Sequence, residues 1–151
     1  MASFWYAAGL KGIMDGSIDL NSDDIRVALV MTNTTIDTEN ETIDYVDDFS
    51  TLDECDSAAY SRAALANESV ALDASNNRVK FDADDVTFSS LASCTRQIQA
   101  VLIYYHDTND AASIPLIYAD ITDSTPNGQD FTIEWDDDGI ATLADSNAPT
   151  S

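Results

Sequence analysis

The sequence predicts an all-β fold: an antiparallel β-sandwich or barrel-like domain of about eight or nine short strands with one short N-terminal helix. Polar and apolar residues alternate within residues 79–88, as they do in half-buried strands. Residues 97–105 are apolar almost throughout, which is typical of a central strand covered on both faces. Clusters of Asn, Asp, Gly and Pro separate such runs along the chain. We therefore expect one domain over residues 1–143 and a flexible polar tail over 144–151.

The N-terminal segment, residues 3–16, predicts a short helix. Its apolar residues recur at helical spacing, Ser3 is a candidate N-cap and Gly16 a candidate stop. We expect this helix to dock Phe4 and Trp5 onto the sheet. Because it is the most apolar stretch whose burial the sequence leaves open, it is also the predicted contact with another protein, through Phe4, Trp5, Tyr6, Leu10, Ile13 and Met14.

The next part of the chain combines a strong strand with a weakly structured segment. Residues 25–31 are strongly apolar and predict a strand. Residues 32–57 hold many acids and few apolar residues, and a connection of this length without strong structure is uncommon unless it is functional. We expect a surface excursion there, held to the body through Tyr45, Val46 and Phe49.

The remaining strands are short and bounded by turn residues. The pattern predicts a β-hairpin over residues 77–89, with 82–85 as its turn. Residues 136–139 predict a second hairpin loop in which Gly139 takes a positive φ. The other predicted strands cover residues 60–65, 69–72, 97–105, 114–121, 129–135 and 140–143.

The charge balance is the least ordinary property of the sequence. The chain has 28 acidic and 6 basic residues, a formal net charge of −22. Self-repulsion at this density destabilises a compact monomer in dilute buffer. At molar salt the Debye length falls to about 3 Å and most of this penalty vanishes. The sequence therefore predicts a protein that works in high salt, and six dispersed cations exclude nucleic acid and anionic membranes as partners.

Two further sequence features concern location and redox state. The chain has no apolar run long enough for a transmembrane helix and no visible signal peptide. The two cysteines, Cys55 and Cys94, fit no zinc pattern. A disulfide between them is one alternative, but the absence of a secretion signal favours two small buried thiols.

Residues that could carry out catalysis lack supporting motifs. The single histidine, His106, follows the central strand beside a polar loop and has no nucleophile motif near it. It is interpreted as a solvated loop residue. Adjacent carboxylates are so frequent that no pair is diagnostic of acid–base catalysis. The sequence therefore predicts a protein that is not an enzyme and has no cofactor.

Cation binding is the one chemical alternative with support from the sequence. The turns at 82–85 and 136–139 are rich in the oxygen ligands that Mg²⁺, Ca²⁺ or Na⁺ prefer, although neither has EF-hand spacing. Ordinary hairpin turns on a salt-adapted surface are the favoured interpretation. The weak candidate ligands are Asp82, Asp84, Asp85, Asp136 and Asp138.

Several segments, in order along the chain, carry a resemblance to a known family. They are the opening MASFWYAAGLKGIMDGSIDLNSDDIRVALVMTN, residues 60–70 (YSRAALANESV), residues 77–88 (NRVKFDADDVTF), and the later PLIYADI and DFTIEWDDDGIATL. Over residues 1–143 the chain resembles the small virion proteins of tailed phages and related tailed viruses. Members are usually called capsid decoration (cement) or minor structural proteins. The most specific piece is RVKFDADDVTF followed by AVLIYYHDT.

The resemblance implies a virion structural protein that is made in the host cytoplasm. We expect a decoration protein on the outer capsid surface, a homotrimer that bridges and stabilises major capsid protein subunits. The predicted contact residues between Phe4 and Met14 would then be the capsid or subunit contact. No catalytic motif is implied. Residues 61–64 (SRAA) depart from the Gly-rich turn expected of the family. The Asp-rich residues 36–57, with the salt signature, indicate a tailed virus of a halophilic archaeon.

Two other functions compete with this expectation. The first is a tail or head fibre or turret component that contacts the host surface, although the stalk or collagen-like repeat that fibres usually need is missing from the sequence. The second is a carbohydrate-binding sandwich that uses Trp and Tyr platforms, which a glycan array at molar salt would test.

Overall fold

The structure, a computed structural model, describes residues 3–144 and consists of three antiparallel sheets and one short helix. The helix α1 spans Ala7–Met14, and Val46–Asp48 form a single 3₁₀ turn. The all-β class and the short N-terminal helix are thereby confirmed. The strands are β1 Phe4–Trp5, β2 Ile25–Met31, β3 Ala63–Ala64, β4 Ser69–Asp73, β5 Arg78–Asp82, β6 Val86–Phe88, β7 Ile98–Tyr105, β8 Ile114–Ser124, β9 Phe131–Ile133 and β10 Ala141–Ala144.

The largest sheet has five strands in the order β1-β8-β7-β2-β3. The strand β7 lies in its centre and pairs with β2 on one side and β8 on the other. Its side chains alternate between two cores: Val101 and Ile103 pack into one, and Ala100 and Leu102 into the other. The prediction of a central strand covered on both faces is confirmed.

One face of this sheet packs against two smaller sheets, which gives the sandwich its second layer. These are a three-stranded sheet, β10-β5-β4, and a two-stranded sheet, β6-β9. Phe81 of β5, Phe88 of β6 and Ile133 of β9 share a core with Leu29 of β2 and Ile103 of β7. The strands that alternate in sequence are those that place one face on this core.

The opposite face is covered by residues 32–57. The predicted surface excursion is wrong in this respect, because the segment folds over the sheet as a third layer. It buries four of its few apolar side chains against Tyr6 and Tyr118, namely Ile36, Ile43, Val46 and Phe49. Tyr45, one of the three predicted anchors, instead remains 42% exposed.

The predicted hairpin over residues 77–89 is also wrong. The strand β5 pairs with β4 and β10, whereas β6 pairs with β9, so the two strands join different sheets. The link between them is held by tertiary contacts: the Asp84 amide donates to the Ala66 carbonyl at 2.9 Å, and the Trp135 indole donates to the Asp84 carbonyl at 3.0 Å. Gly139 does take a positive φ of 90° in a tight turn, although β9 and β10 on either side of it do not pair with each other.

The N-terminal segment begins as a strand before it becomes a helix. The strand β1 pairs antiparallel with β8, so Phe4 and Trp5 do lie on the sheet. They do so as an edge strand and not as part of the helix, which is shorter than the predicted 3–16 segment. Ser3 is not the N-cap: the helix begins after Tyr6, and the Ser3 hydroxyl accepts from the Asp120 amide at 3.2 Å. The helix lies very close to β8, since a Cβ on Gly9 would be 2.7 Å from the Pro115 carbonyl oxygen.

The two cysteines form a disulfide, so the interpretation as free thiols is wrong. Cys55 and Cys94 lie 5.6 Å apart between Cα atoms, within the ordinary range for a bridge. The chain around them is held by the Asp53–Arg96 ion pair and by hydrogen bonds from Thr95 to Asp56. The expectation of free thiols was based on the reducing compartment in which proteins without a secretion signal usually stay. It took no account of the contacts that bring the segments around Cys55 and Cys94 together.

The predicted tail starts at residue 144, but Ala144 is the last residue of β10 and pairs with Arg78. The rest of the predicted tail, 145–151, lies outside the described residues.

Candidate interaction surface

The predicted contact residues of the N-terminal segment fall into three groups. Met14, at the end of α1, is 85% exposed. Phe4, Trp5, Leu10 and Ile13 are half-buried. Tyr6 is fully buried, and its hydroxyl donates to the Ile36 carbonyl at 2.7 Å. Tyr6 is therefore a core residue, and its prediction as a contact residue is wrong.

The three-stranded sheet extends its apolar face beyond the core. The register of β4, β5 and β10 places Val70 opposite Phe81, and both Leu72 and Leu143 opposite Val79. Residues that are paired across strands point to the same side of a sheet. Phe81 is buried, but Leu72 is 75% exposed, Leu143 44%, and Val70 and Val79 41% each.

A groove of about 410 Å³ lies between α1 and this part of the sheet. Leu10 and Ile13 line it from the helix, Trp5 and Phe81 line its inner part, and Asp19 lies among its polar lining residues. We use the name apolar face for the groove walls together with the neighbouring exposed side chains, which are Leu10, Ile13, Met14, Val70, Leu72, Val79 and Leu143.

The sheet side of the apolar face was missed by the sequence analysis. Val70 and Leu72 in β4 alternate with polar or small residues, as Val79 and Phe81 do in β5. The alternation showed that these residues share a face. It did not show that α1 leaves the outer part of that face uncovered. A signal was present in β4, because its apolar residues are followed by a polar turn. The sequence next to β4 therefore offers few apolar side chains that could cover them.

All six basic side chains of the protein make contacts within the chain. Lys80 donates to the Asp137 carbonyl at 3.0 Å. The other five form ion pairs with carboxylates, some with two at once: Lys11–Asp15, Arg26–Asp24, Arg62–Glu54 and –Asp110, Arg78–Asp73 and –Asp138, and Arg96–Asp53. The cations of the chain are therefore already engaged by its own oxygen atoms and leave the acidic excess uncompensated.

Hydrogen bonds near the apolar face favour the ionised form of two of its carboxylates. Hydrogen bonds from Ser17 and from the Lys11 ammonium lower the pKa of Asp15 to about 2. A backbone hydrogen bond from Asn21 and one from the Ser22 hydroxyl lower the pKa of Asp19. Both carboxylates therefore carry full negative charge at neutral pH, beside the helix end and the groove.

The most enclosed ion-pair network surrounds Arg62. Its guanidinium binds Glu54 at 2.7 Å and 2.8 Å and Asp110 at 2.6 Å and 2.9 Å, each in the two-point geometry that suits a carboxylate. It also donates to the Tyr104 hydroxyl, and Glu54 accepts from Tyr60. Hydrogen bonding to Glu54 is the largest cause that raises the pKa of Arg62. The network joins the segment over the second face to the loop after β7, which is a structural role.

The five candidate cation ligands do not converge. Within residues 3–144 no group of three or more His, Cys, Asp or Glu side chains is placed to hold a metal ion. The carboxylates instead bond to the protein itself. Asp84 accepts a hydrogen bond from the Asn67 side chain, and Asp85, Asp82 and Asp136 accept from the backbone amides of Trp135, Ala83 and Asp138. Asp138 forms an ion pair with Arg78.

His106 differs from the solvated loop residue that we expected. It is half-buried, with its ring edge against Tyr104 at 6.2 Å between ring centroids. Its Nδ1 atom is buried without a hydrogen-bond partner in the described part of the chain. Its backbone amide donates to the Asp24 carbonyl at 2.8 Å. These contacts are those of a packing residue at the end of β7.

Most of the aromatic residues serve the interior. Tyr6, Tyr104 and Tyr118 are buried, and the indoles of Trp5 and Trp135 donate to backbone carbonyls at 3.1 Å and 3.0 Å. A row of exposed aromatic rings, as a sugar-binding platform needs, is not present among residues 3–144.

Comparison of the chain with models of protein families gave no match, and neither curated proteins nor solved structures gave one. In the part of the chain that the structure describes, no helix has the length and hydrophobicity needed to cross a membrane.

Proposed function

We propose that this protein is a capsid decoration protein of a tailed virus that infects a halophilic archaeon. It would sit on the outer capsid surface and bridge neighbouring major capsid protein subunits, as a homotrimer. The support comes from the resemblance of residues 1–143, from the acidic composition, and from the apolar face.

The apolar face is the observation that carries the proposal. Soluble monomers leave single apolar side chains exposed, but contiguous exposed patches are typical of interaction sites. Here Leu72 and Met14 are mostly exposed beside three further half-exposed aliphatic residues and an open groove. Full burial of one such side chain contributes about 1.5–3 kcal/mol, so a few of them suffice for a stable contact.

A contact of this kind explains stabilisation without catalysis. A protein that binds only the assembled capsid shifts the equilibrium towards assembly by mass action. The remaining surface, with its net charge of −22, stays soluble in concentrated salt.

The test is to measure the number of copies in purified virus particles by quantitative immunoblotting against the major capsid protein. We expect a copy number comparable to that of the major capsid protein. A handful of copies per particle would instead support a fibre, turret or tail component, and absence from particles would contradict both.

A pair of variants then tests the face itself. Leu72→Ser removes the more exposed of the two large apolar residues of β4, whereas Ala71→Ser introduces the same side chain on the opposite face of that strand. We expect Leu72→Ser to lower incorporation into particles and Ala71→Ser to leave it unchanged. Equal incorporation of the two variants would show that β4 does not contribute to the contact.

A further inference from the structure

The apolar face leaves open which molecule covers it, and three occupants can be compared. These are the chain's own C-terminal residues, a second copy of the chain, and a different polypeptide. The groove has an apolar interior formed by Trp5, Leu10 and Phe81, with the ionised Asp19 among its lining residues. The occupant must match both the apolar interior and the negative charge.

The chain's own C-terminal residues do not match. Residues 145–151 follow directly from β10 and read DSNAPTS, which contains no large apolar side chain and adds a further carboxylate. Such a segment would bring negative charge towards Asp15 and Asp19 and leave Leu72 and Val79 uncovered.

A second copy of the chain is disfavoured by charge. Each copy carries 28 acids and 6 bases, and all six bases are engaged within their own chain. A copy that approaches the groove therefore offers carboxylates to carboxylates. Like charges that face each other across an interface oppose association, and molar salt weakens this effect without supplying a partner for each carboxylate.

We propose that the groove beside α1 binds a segment of a different protein that is apolar at its centre and carries Lys or Arg on its flanks. Its apolar side chains would contact Leu10, Val79 and Leu143, and its cations would lie beside Asp15 and Asp19. This inference refines the proposed function, because it assigns the groove to the capsid subunit rather than to a neighbouring copy, so the contacts between copies in the proposed homotrimer would lie outside the groove. It rests on that function only in the choice of partner.

The test uses synthetic peptides and the intact protein in molar KCl. One fluorescently labelled peptide has alternating Leu and Val at its centre and lysines at both ends, a second has glutamates in place of the lysines, and a third keeps the lysines around a serine-rich centre. We expect fluorescence anisotropy to show the first peptide binding about tenfold more tightly than either of the others, since it alone has both the apolar contact and the charge match.

Matched variants locate the site. Val79→Thr keeps a β-branched side chain at a half-exposed position but places a hydroxyl in the groove, so we expect about tenfold weaker binding. Ala71→Thr adds the same hydroxyl on the opposite face of the sheet, and we expect unchanged binding. Circular dichroism checks that both variants fold.

Three results would overturn the proposal. They are equal affinity for the lysine and glutamate peptides, no binding of the lysine peptide, and binding that Val79→Thr does not weaken. Analytical ultracentrifugation of the protein alone adds a fourth, namely self-association that Val79→Thr abolishes, which would make a second copy the occupant. Absence of the protein from virus particles would remove the proposed function but leave the peptide results intact, so the two failures can be told apart.

Discussion

The disulfide gives the sharpest test of how this small, highly charged domain is stabilised. Cys55 and Cys94 are 39 residues apart in the sequence, and the loop between them contains β3, β4, β5 and β6. In the chain-entropy treatment, a bridge across a loop of this length removes about 13 cal/mol/K from the unfolded chain, or about 4 kcal/mol at 25 °C. For a protein of this size, that loss lowers the melting temperature by about 8–16 °C.

The perturbation is the double variant Cys55→Ala, Cys94→Ala, together with chemical reduction of the native protein. The Asp53–Arg96 ion pair and the Thr95–Asp56 hydrogen bonds remain in both, so the folded geometry should persist. The free energy of unfolding is measured by urea denaturation in molar KCl, followed by circular dichroism. Reductant should destabilise the native protein as much as the double substitution does, and it should leave the double variant unchanged.

A loss of less than about 1 kcal/mol would refute this reasoning, because the bridge would then constrain the unfolded chain far less than its loop length requires. Thiol titration of the denatured protein supplies an independent check. Any free thiol in protein that has not been reduced would show that the bridge is incomplete.

Three further predictions concern charge and protonation. The urea midpoint should rise as KCl is raised from low to molar concentration, since screening removes self-repulsion at a net charge of −22, whereas an equal osmolality of sucrose should not reproduce the rise. Arg62→Ala should lower the free energy of unfolding by about 2 kcal/mol, because it leaves the carboxylates of Glu54 and Asp110 without their cation. Lys11→Ala, which removes an exposed ion pair, should leave the urea midpoint unchanged. Equal effects of the two substitutions would contradict the stabilising role of the Arg62 network. Burial raises the pKa of Tyr118 to about 12, and burial also raises those of Tyr6 and Tyr60. The unfolded chain therefore loses tyrosine protons first, so stability present below about pH 10 should be lost as the pH rises towards 12. Tyrosinate absorbance should then appear together with unfolding, and its appearance in the folded protein would contradict the assignment.

The central sheet could be predicted from the sequence because its signal is local and strong. The apolar runs of β2 and β7 are long enough that almost any antiparallel arrangement buries them on both faces. The pairing of the shorter strands could not be predicted. Period-two alternation identifies Val86 and Phe88 as strand residues, but their partners in β9 lie more than forty residues away, and nothing near them in the sequence selects those partners.

Only the helix side of the apolar face could be predicted, again because only local patterns are visible in the sequence. The helical spacing of Leu10, Ile13 and Met14 is a local pattern, so this side of the apolar face was visible in the sequence. The exposure of Leu72 and Val79 depends on how far α1 extends over the three-stranded sheet, which is set by tertiary packing. Gly9, which lowers helix propensity, is required by that packing because it allows the helix to touch β8.

The attachment of the N-terminal segment to β8 also determines how mechanical force passes through the molecule. A pull on Met14 would travel along α1 to the amide of Tyr6, which is hydrogen-bonded to the Leu116 carbonyl at 2.8 Å, and then to the short β1–β8 ladder. The strand β8 is joined to β7 along most of its length. Tension applied at the end of the helix is thus passed through β8 to β7 in the centre of the largest sheet, so the helix is anchored in the interior of the molecule and should not peel away by itself.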